Sequence, residues 1–351
     1  MKLCKIFSII ICVVACLSAL PSCKPQATEQ RPRAASYYEY FDTVSVIFSY
    51  AGDSKEEFDH KCELASEILG DYHKLFDIYY EYEGINNLKT VNLNAGKAPV
   101  KVDERLIDFL VYAKEMHALT GGRTNVAMGA VLKLWHDARG VGIDDPKKAY
   151  VPSAEALAEA ASHTDIDKLI INEEESTVFL SDPAMSLDVG AVGKGYAAER
   201  AAEALMLIGT NSYVLNVGGN IRAIGQKSPG NGWVTGITNP DKTSEEEFVC
   251  RVIIEDTSLV TSGNYERYYE VDGIRYHHII DPDTNMPAEY FASVSVFTKD
   301  SGLADTLSTA LFCMSYEDGL ALIESIGEAD AIWVYQNGDV KHTDGIVFAK
   351  K

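Results

Sequence analysis

The chain has 351 residues, which is long enough to bury a large core in one big domain or in two modest ones. Its formal net charge is −21 at pH 7, and this acidic balance argues against nucleic acid and anionic membranes as partners of the folded surface. An acidic protein that binds a phosphorylated ligand must place basic groups, helix ends or a cation at the site itself.

The N-terminus has the pattern of a secretory signal. Two lysines precede an apolar run over 6–20, and a small residue stands directly before Cys23. The Leu-Pro-Ser-Cys stretch resembles the bacterial lipobox, in which the cysteine is lipidated and begins the mature protein. We therefore expect a signal peptide over 1–22, lipid on Cys23, and a polar, proline-bearing tether over 23–36. A single membrane anchor is the alternative, but about 15 apolar residues fall short of the roughly 20 that a span needs.

Three cysteines remain after the signal and the lipidated position. They are widely spaced and odd in number, so they indicate neither a disulfide framework nor a zinc site. We expect buried or idle thiols at Cys62, Cys250 and Cys313.

The first half of the mature chain mixes strands and helices. Alternating aromatic and β-branched residues predict a strand over 37–50. An amphipathic helix over 55–72 leads into an Asn/Gly-rich stretch typical of surface loops. A second helix is predicted over 103–119 with Asp103 as its N-cap. The next predicted elements are helices over 130–136 and 152–161 and strands over 169–171 and 177–180.

The second half adds many short strands. Asp272-Gly273 predicts a hairpin turn, after which a strand runs over 274–280. The other predicted elements are strands over 213–216, 221–224, 233–238, 248–255, 259–271, 294–297 and 331–335 and helices over 304–313 and 316–326. This mixture predicts an α+β fold with many antiparallel strands, and no internal boundary divides the domain over 37–351.

The stretch over 185–200 is rich in glycine and leads into a helix. Three glycines and Lys194 occupy four of the six positions over 190–195, and the helical pattern begins at Tyr196. A glycine-rich turn at a helix N-terminus offers unpaired N–H groups, and the lysine adds a full charge, which suits a phosphate. The spacing matches neither the Walker A motif nor G-x-G-x-x-G. A turn that only packs the helix against a neighbour explains the glycines equally well.

Asp305 and Thr309 stand four residues apart in a predicted helix, so they share one face. A carboxylate and a hydroxyl are hard oxygen ligands of the kind that magnesium accepts together with waters and phosphate oxygens. The alternative is a helix start, with the aspartate favoured by the helix dipole and the threonine filling space.

Two further clusters are candidates for chemistry. His277 and His278 end a strand before Asp-Pro, and histidines there suit metal binding or proton transfer, but adjacent strand residues face opposite ways, so at most one of them is expected to reach a site. A half-exposed strand end without a site is the alternative. Small residues and tyrosines over 262–269 suit either a loop beside a ring-shaped ligand or a sheet edge.

Together these clusters resemble the ApbE family of flavin transferases, the FAD:protein FMN transferases. The resemblance rests on six motifs in order: Thr-Gly-Gly-x-x-Asn (120–125), Leu-Asp-x-Gly-x-x-x-Lys-Gly-Tyr-Ala (187–197), Asn-x-Gly-Gly-x-Ile-Arg-x-x-Gly (216–225), Thr-Ser-Gly-Asn-Tyr-Glu-Arg (261–267), His-Ile-Ile-Asp-Pro (278–282) and Ala-Asp-x-x-x-Thr-Ala (304–310). The matched region spans about 40 to 310, which is nearly all of the mature chain.

The resemblance implies a T-fold-related α+β fold with FAD and Mg²⁺ bound between two subdomains. It implies that magnesium is held by Asp305, Thr309 and the backbone oxygen of Ala191. The implied FAD contacts are Phe41, Arg123, Thr124, Asn125, Asp188, Lys194 and Ile279. His278 is the implied proton-handling group. The sequence departs from the family pattern at 123–125, where many members have an aromatic residue followed by Asp, and at Phe41, where the family has Met.

The implied reaction is magnesium-dependent transfer of FMN from FAD to a threonine or serine hydroxyl of an acceptor flavoprotein, with release of AMP. The implied acceptors resemble subunits of the sodium-pumping NADH:quinone reductase and of Rnf-type complexes. Lipid on Cys23 would place the enzyme in the cell envelope, outside the cytoplasm and facing the periplasm from the inner membrane. Two alternatives stay open, namely an FAD pyrophosphatase that releases free FMN and AMP, and a non-catalytic FAD-binding lipoprotein.

Overall fold

An eight-stranded antiparallel sheet forms the centre of the fold in the computed structural model, which describes residues 32–350. Its strand order is β1-β2-β6-β7-β10-β13-β14-β15. Smaller sheets have the orders β3-β5-β4, β8-β9 and β11-β12. The strands are β1 (Arg33–Tyr37), β2 (Ser45–Ser49), β3 (Val100–Lys101), β4 (Leu169–Asn172), β5 (Thr177–Leu180), β6 (Tyr213–Val217), β7 (Asn220–Ile224), β8 (Trp233–Thr238), β9 (Phe248–Ile254), β10 (Ser258–Gly263), β11 (Tyr268–Val271), β12 (Ile274–His277), β13 (Ser293–Thr298), β14 (Asp330–Val334) and β15 (Val340–His342).

The helices connect and cover these sheets. They are α1 (Lys55–Phe76), α2 (Leu88–Leu93), α3 (Glu104–Leu119), α4 (Gly129–Asp144), α5 (Ala154–Ala161), α6 (Gly193–Leu207), α7 (Ser301–Phe312) and α8 (Tyr316–Ile326), with 3₁₀ turns at Pro146–Lys148 and Ile166–Lys168. None of the helices in residues 32–350 is long and apolar enough to cross a membrane.

Both faces of the central sheet are covered. Along β6, Tyr213 and Leu215 point into the core shared with α1 and α6, while Val214 points to the core under the β8–β9 hairpin. This period of two buries apolar side chains on each face. α6 and α7 pack side by side on the sheet, and α1 packs on α6. The α+β class predicted from the sequence is confirmed.

The segment predicted as one strand over 37–50 is a hairpin, so that prediction was wrong. β1 and β2 pair antiparallel, and Phe41 and Asp42 in the turn have positive φ angles of 56° and 50°. Tight turns at non-glycine residues leave a weak sequence signal, because the alternation of apolar residues continues through them. β1 also takes up residues 33–36, which the sequence assigned to the tether. The rest of the tether, the signal peptide and Cys23 lie outside the described residues.

The strand predicted over 259–271 is also two strands. β10 pairs in the central sheet, whereas β11 pairs with β12 in a separate hairpin, and residues 264–267 lie between them. The predicted turn of that hairpin is confirmed, since Asp272 and Gly273 have φ angles of 51° and 81°. Asp103 caps α3 as predicted, because its side chain accepts a hydrogen bond from the backbone N–H of Arg105. α6 begins at Gly193, three residues before the predicted start.

The Asn/Gly-rich stretch after α1 is more ordered than its composition indicates. Asn87 is fully buried and caps α2. The side-chain amide of Asn92 donates to Leu187 O at 2.9 Å and accepts from Leu187 N at 2.7 Å. These paired bonds fix the segment that leads into the glycine-rich turn. The remaining thiols are free, with Cys62 and Cys313 buried and Cys250 half-buried.

Candidate active site

A cavity of about 600 Å³ opens where the turn before β2, the loop after α1, the loop before α4, the start of α6 and one face of α7 meet. Its lining includes all the ligand, metal and catalytic residues predicted within the described part of the chain, which come from five separate segments. These residues are Phe41, Arg123, Thr124, Asn125, Asp188, Ala191, Lys194, His278, Ile279, Asp305 and Thr309.

The glycine-rich turn serves both packing and the cavity. A Cβ atom on Gly195 would lie 2.2 Å from Ser301 O, and one on Gly193 would lie 3.0 Å from the ring of Phe76. Both glycines are therefore needed for α6 to approach its neighbours closely. Lys194, between them, lines the cavity. The packing explanation thus applies to Gly193 and Gly195, while a ligand contact of Lys194 stays a prediction.

Asp305 lies in the second turn of α7, and Asp300 is the N-cap of that helix. The alternative that Asp305 is only a helix-start residue is therefore excluded. The side chain is only 4% exposed, and Oδ2 accepts a hydrogen bond of 2.8 Å from Gly195 N. Burial raises the pKa of this carboxyl, while the charge of Lys194 and the bond from Gly195 act in the opposite direction. No ion pair to Asp305 is formed by the described residues.

A buried carboxylate that forms no ion pair fits a cation site. Thr309 lies one helical turn after Asp305, and Ala191 lies at the same cavity. Residues 32–350 contain no group of three or more His, Cys, Asp or Glu side chains placed to hold a metal. A cation here would therefore depend on one carboxylate, one hydroxyl, a carbonyl, waters and ligand oxygens, a donor set that fits Mg²⁺.

Only one of the two adjacent histidines reaches the cavity, as expected. His277 is buried against Phe312, and its Nε2 lies 2.8 Å from Ala288 O. His278 lines the cavity, and its buried Nδ1 has no hydrogen-bond partner among the described residues. Burial lowers the pKa of His278 to about 3, with further lowering from the charge of Arg267, so the imidazole is neutral at pH 7.

The segment over 123–125 is held by the protein itself. Arg123 Nη1 lies 3.3 Å from Asp281 Oδ1 and 2.5 Å from Asp283 Oδ2. Thr124 Oγ1 donates to the backbone oxygen of Thr306 at 3.0 Å. Asn125 donates to Thr164 O and accepts from Ala127 N, both at 2.9 Å.

These side chains therefore fix the loop against α7 and its surroundings. Their contact with a ligand stays a prediction.

The other predicted contacts also have defined positions. Asp188 Oδ1 accepts from Gly190 N at 2.9 Å, which shapes the turn before α6. Phe41 has its ring edge-on to His73, with centroids 5.6 Å apart. Ile279 is buried beside His278. Ser262, in the small-residue cluster, lies at the cavity with its Oγ 2.9 Å from Ser308 Oγ, whereas the tyrosines at 265, 268 and 269 do not line it.

Sequence reasoning missed an aromatic and basic wall of the cavity. Tyr79 OH lies 3.1 Å from His136 Nδ1, and the backbone N–H of Tyr79 donates to Asp77 Oδ1 at 2.6 Å. Arg139 and Arg267 complete this wall. Two signals were available: His136 and Arg139 are three apart and share a helix face, and Arg267 ends the motif over 261–267.

The fold and cavity define an α+β protein with a large cavity that is lined by basic side chains and by a helix N-terminus. The family model described as the ApbE family matches residues 42–333, and the chain belongs to this family. A protein of Treponema pallidum named FAD:protein FMN transferase is 35% identical over 304 residues, covering 81% of this chain and 82% of the relative. A Klebsiella pneumoniae protein of the same name is 31% identical, covering 81% and 85%.

Solved structures of similar proteins agree. The ApbE protein of Thermotoga maritima has a TM-score of 0.76 and 27% identity, with 90% of this chain and 97% of that chain covered. The flavin transferase ApbE of Vibrio cholerae has a TM-score of 0.72 and 25% identity, with 89% and 96% covered. The family and fold predicted from the six motifs are confirmed.

Proposed function

We propose that this protein is an FAD:protein FMN transferase that moves FMN from FAD to a threonine or serine hydroxyl of an acceptor flavoprotein and releases AMP. The observation that carries the proposal is the single cavity that gathers the predicted residues from five segments of the chain. The names of the relatives support a flavin transferase, and the donor chemistry of the site supports a phosphorylated substrate.

In this proposal Asp305, Thr309 and the carbonyl of Ala191 hold Mg²⁺, which supplies positive charge beside the pyrophosphate oxygens. Lys194 adds a second charge at the start of α6. The protein's own task is to hold the pyrophosphate in line with an incoming hydroxyl. The hydroxyl oxygen bonds to the FMN-side phosphorus, the bond from that phosphorus to the bridging oxygen breaks, and AMP leaves with the electron pair.

We assign the hydroxyl proton to His278 or to a carboxylate beside it. A neutral imidazole has a free nitrogen for a proton, and His278 is neutral because of burial and its cationic neighbours. A pyrophosphate bound among those cations cancels part of their effect on His278 and raises its basicity when substrate is present.

We further propose that the protein is anchored by lipid on Cys23 and works outside the cytoplasm, facing the periplasm from the inner membrane. The signal pattern and lipobox support this location. Acceptor subunits of the sodium-pumping NADH:quinone reductase or Rnf type are the partners we propose.

The test is incubation of the purified protein with FAD, Mg²⁺ and a candidate acceptor domain, followed by intact mass and nucleotide analysis. The proposal predicts an acceptor heavier by one FMN and one AMP released per FMN attached. Free FMN and AMP formed at the same rate without acceptor would identify a pyrophosphatase instead. FAD that stays intact on the protein, with several acceptors tried, would contradict catalysis.

A further inference from the structure

Two cavity arginines differ from all the others in the described chain. Among the nine arginines of residues 32–350, seven have a guanidinium that forms an ion pair, donates a hydrogen bond or lies over an aromatic ring. Arg139 and Arg267 have none of these contacts within the described residues, and both line the cavity.

The two arginines come from separate elements and lie close enough to repel each other. Arg139 is on α4, and Arg267 is in the segment between β10 and β11. Burial lowers the pKa of Arg139, and the charge of Arg267 lowers it further, partly offset by Tyr79 and Asp188. Both guanidinium groups also lower the pKa of His278, which lines the same cavity.

Arg139 is half-buried and Arg267 is exposed, and neither guanidinium forms an ion pair with the described residues, so both are free to donate to an anion in the cavity. The other basic side chains of the cavity interact with carboxylates of the protein. Arg123 is already paired with Asp281 and Asp283. Lys194 acts on the Asp305 side, where it opposes the raised pKa of that carboxyl.

We propose that Arg139 and Arg267 form a two-arginine clamp that binds the pyrophosphate oxygens of FAD. The inference rests on the proposed function. It gives a role in ligand binding to Arg139 and Arg267, which the sequence did not predict as ligand contacts. Guanidinium groups suit this role because their planar donors match phosphate oxygens in pairs. The neighbouring His278 then lies beside the phosphorus that is attacked.

The test measures equilibrium binding of FAD and of riboflavin, which lacks phosphate, by flavin fluorescence without any acceptor. Arg139→Gln and Arg267→Gln should each weaken FAD binding about 10- to 100-fold, the loss expected for a charged hydrogen-bond donor to phosphate. Riboflavin affinity should change less than about twofold, since it carries no phosphate. Arg139→Lys should recover part of the FAD affinity, because it keeps the charge but not the fork.

Arg275→Gln is the matched control, because Arg275 is exposed and lies over the ring of Tyr268 outside the cavity. It should bind FAD like the wild type.

FAD affinity within twofold of wild type in both glutamine variants would overturn the clamp while leaving the transferase proposal in place. Equal losses for FAD and riboflavin would show a structural role and would also overturn it. A higher acceptor KM with unchanged FAD affinity would assign the arginines to the acceptor and overturn it as well. Wild-type protein that transfers no FMN would instead contradict the proposed function.

Discussion

Asp305 on α7 accepts a 2.8 Å hydrogen bond from the backbone N–H of Gly195, near the start of α6. A reverse contact lies one helical turn away: Glu199 on α6 accepts a 2.8 Å hydrogen bond from the backbone N–H of Ser301 at the start of α7. Each helix thus supplies a carboxylate to the other's N-terminus, where the dipole favours negative charge. The metal ligand that we propose is oriented by this exchange.

Asp305→Asn should remove magnesium dependence. The amide keeps the shape of the side chain but lacks the charge that a cation needs, so transfer should fall at least about 100-fold. With FAD present, Mg²⁺ should raise the melting temperature of the wild type further by ligand linkage and should not raise that of the variant. Thermal unfolding with and without Mg²⁺ measures this difference.

The control for that variant is Asp300→Asn, which removes the same charge from the same helix. Asp300 Oδ1 accepts from Leu303 N, and asparagine is an equally good N-cap. This variant should keep its activity and its magnesium response. Retention of magnesium-dependent turnover by Asp305→Asn would refute the assignment.

Gly195→Ala should separate α6 from α7. The added Cβ would lie 2.2 Å from Ser301 O, so the backbones of the two helices would have to move apart. Overpacking of this kind should reduce the free energy of unfolding by about 1–3 kcal/mol. The hydrogen bond to Asp305 should lengthen, so both activity and stability should fall.

Gly140→Ala is the control. A Cβ at this position of α4 would meet nothing within 4 Å, so the free energy of unfolding should rise by roughly 0.5–1 kcal/mol. Urea denaturation of both variants provides the comparison, and equal stabilities would show that the close approach is not required.

Glu199, which accepts the hydrogen bond from Ser301, also forms a buried ion pair with Arg222, and this pair gives a stability prediction. Arg222 Nε lies 3.0 Å from Glu199 Oε2, and the two side chains are only 4% and 6% exposed. Arg222→Met leaves a buried carboxylate unpaired and should reduce the free energy of unfolding by about 3–5 kcal/mol. The double variant Glu199→Met with Arg222→Met should be more stable than the single one. A single variant as stable as the wild type would show that this pair does not order the helices.

Acid stability should depend on Asp182. Hydrogen bonds from His163 and Lys168 lower the pKa of Asp182 below its ordinary value of 3.8. A depressed folded-state pKa contributes stability above the unfolded value, and that contribution disappears as the pH falls from about 4 toward the folded pKa. Asp182→Asn should therefore be less stable than the wild type at pH 7, and this difference should be smaller near pH 2. Melting temperatures across this range test the prediction, and a constant difference would contradict it.

The same contact acts on His163 with the opposite sign. Asp182 raises the pKa of His163 above its ordinary value of 6.5. A raised folded-state pKa contributes stability that is complete below the unfolded value and is lost as the pH rises through the folded one. The stability gap between wild type and His163→Gln should thus narrow above about pH 7, as differential scanning calorimetry at several pH values can measure. A gap that widens with pH would contradict this sign.

Much of the site was readable from the sequence because its residues sit in short motifs. Helix periodicity places Asp305 and Thr309 on one face of their helix. Alternation along the strand before Asp281 indicated that one of the two adjacent histidines faces inward. Motif order then indicated that these segments belong together.

Other features have no local signal. The cross-helix bond between Gly195 and Asp305 joins residues 110 positions apart. The clustering of Arg139 with Arg267 likewise depends on how α4 packs beside the β11–β12 hairpin, which periodicity does not specify. The hairpin turn at Phe41 and Asp42 escaped prediction because neither residue favours a positive φ as glycine does.

The most direct test of the account is a crystal structure of the protein with FAD and Mn²⁺, which gives an anomalous signal in place of Mg²⁺. We predict one metal peak among the carboxylate of Asp305, the hydroxyl of Thr309 and the carbonyl of Ala191, with the FAD pyrophosphate beside it in the same cavity. A metal bound elsewhere, or FAD bound outside this cavity, would contradict the central claim that α6 and α7 together build the flavin transfer site.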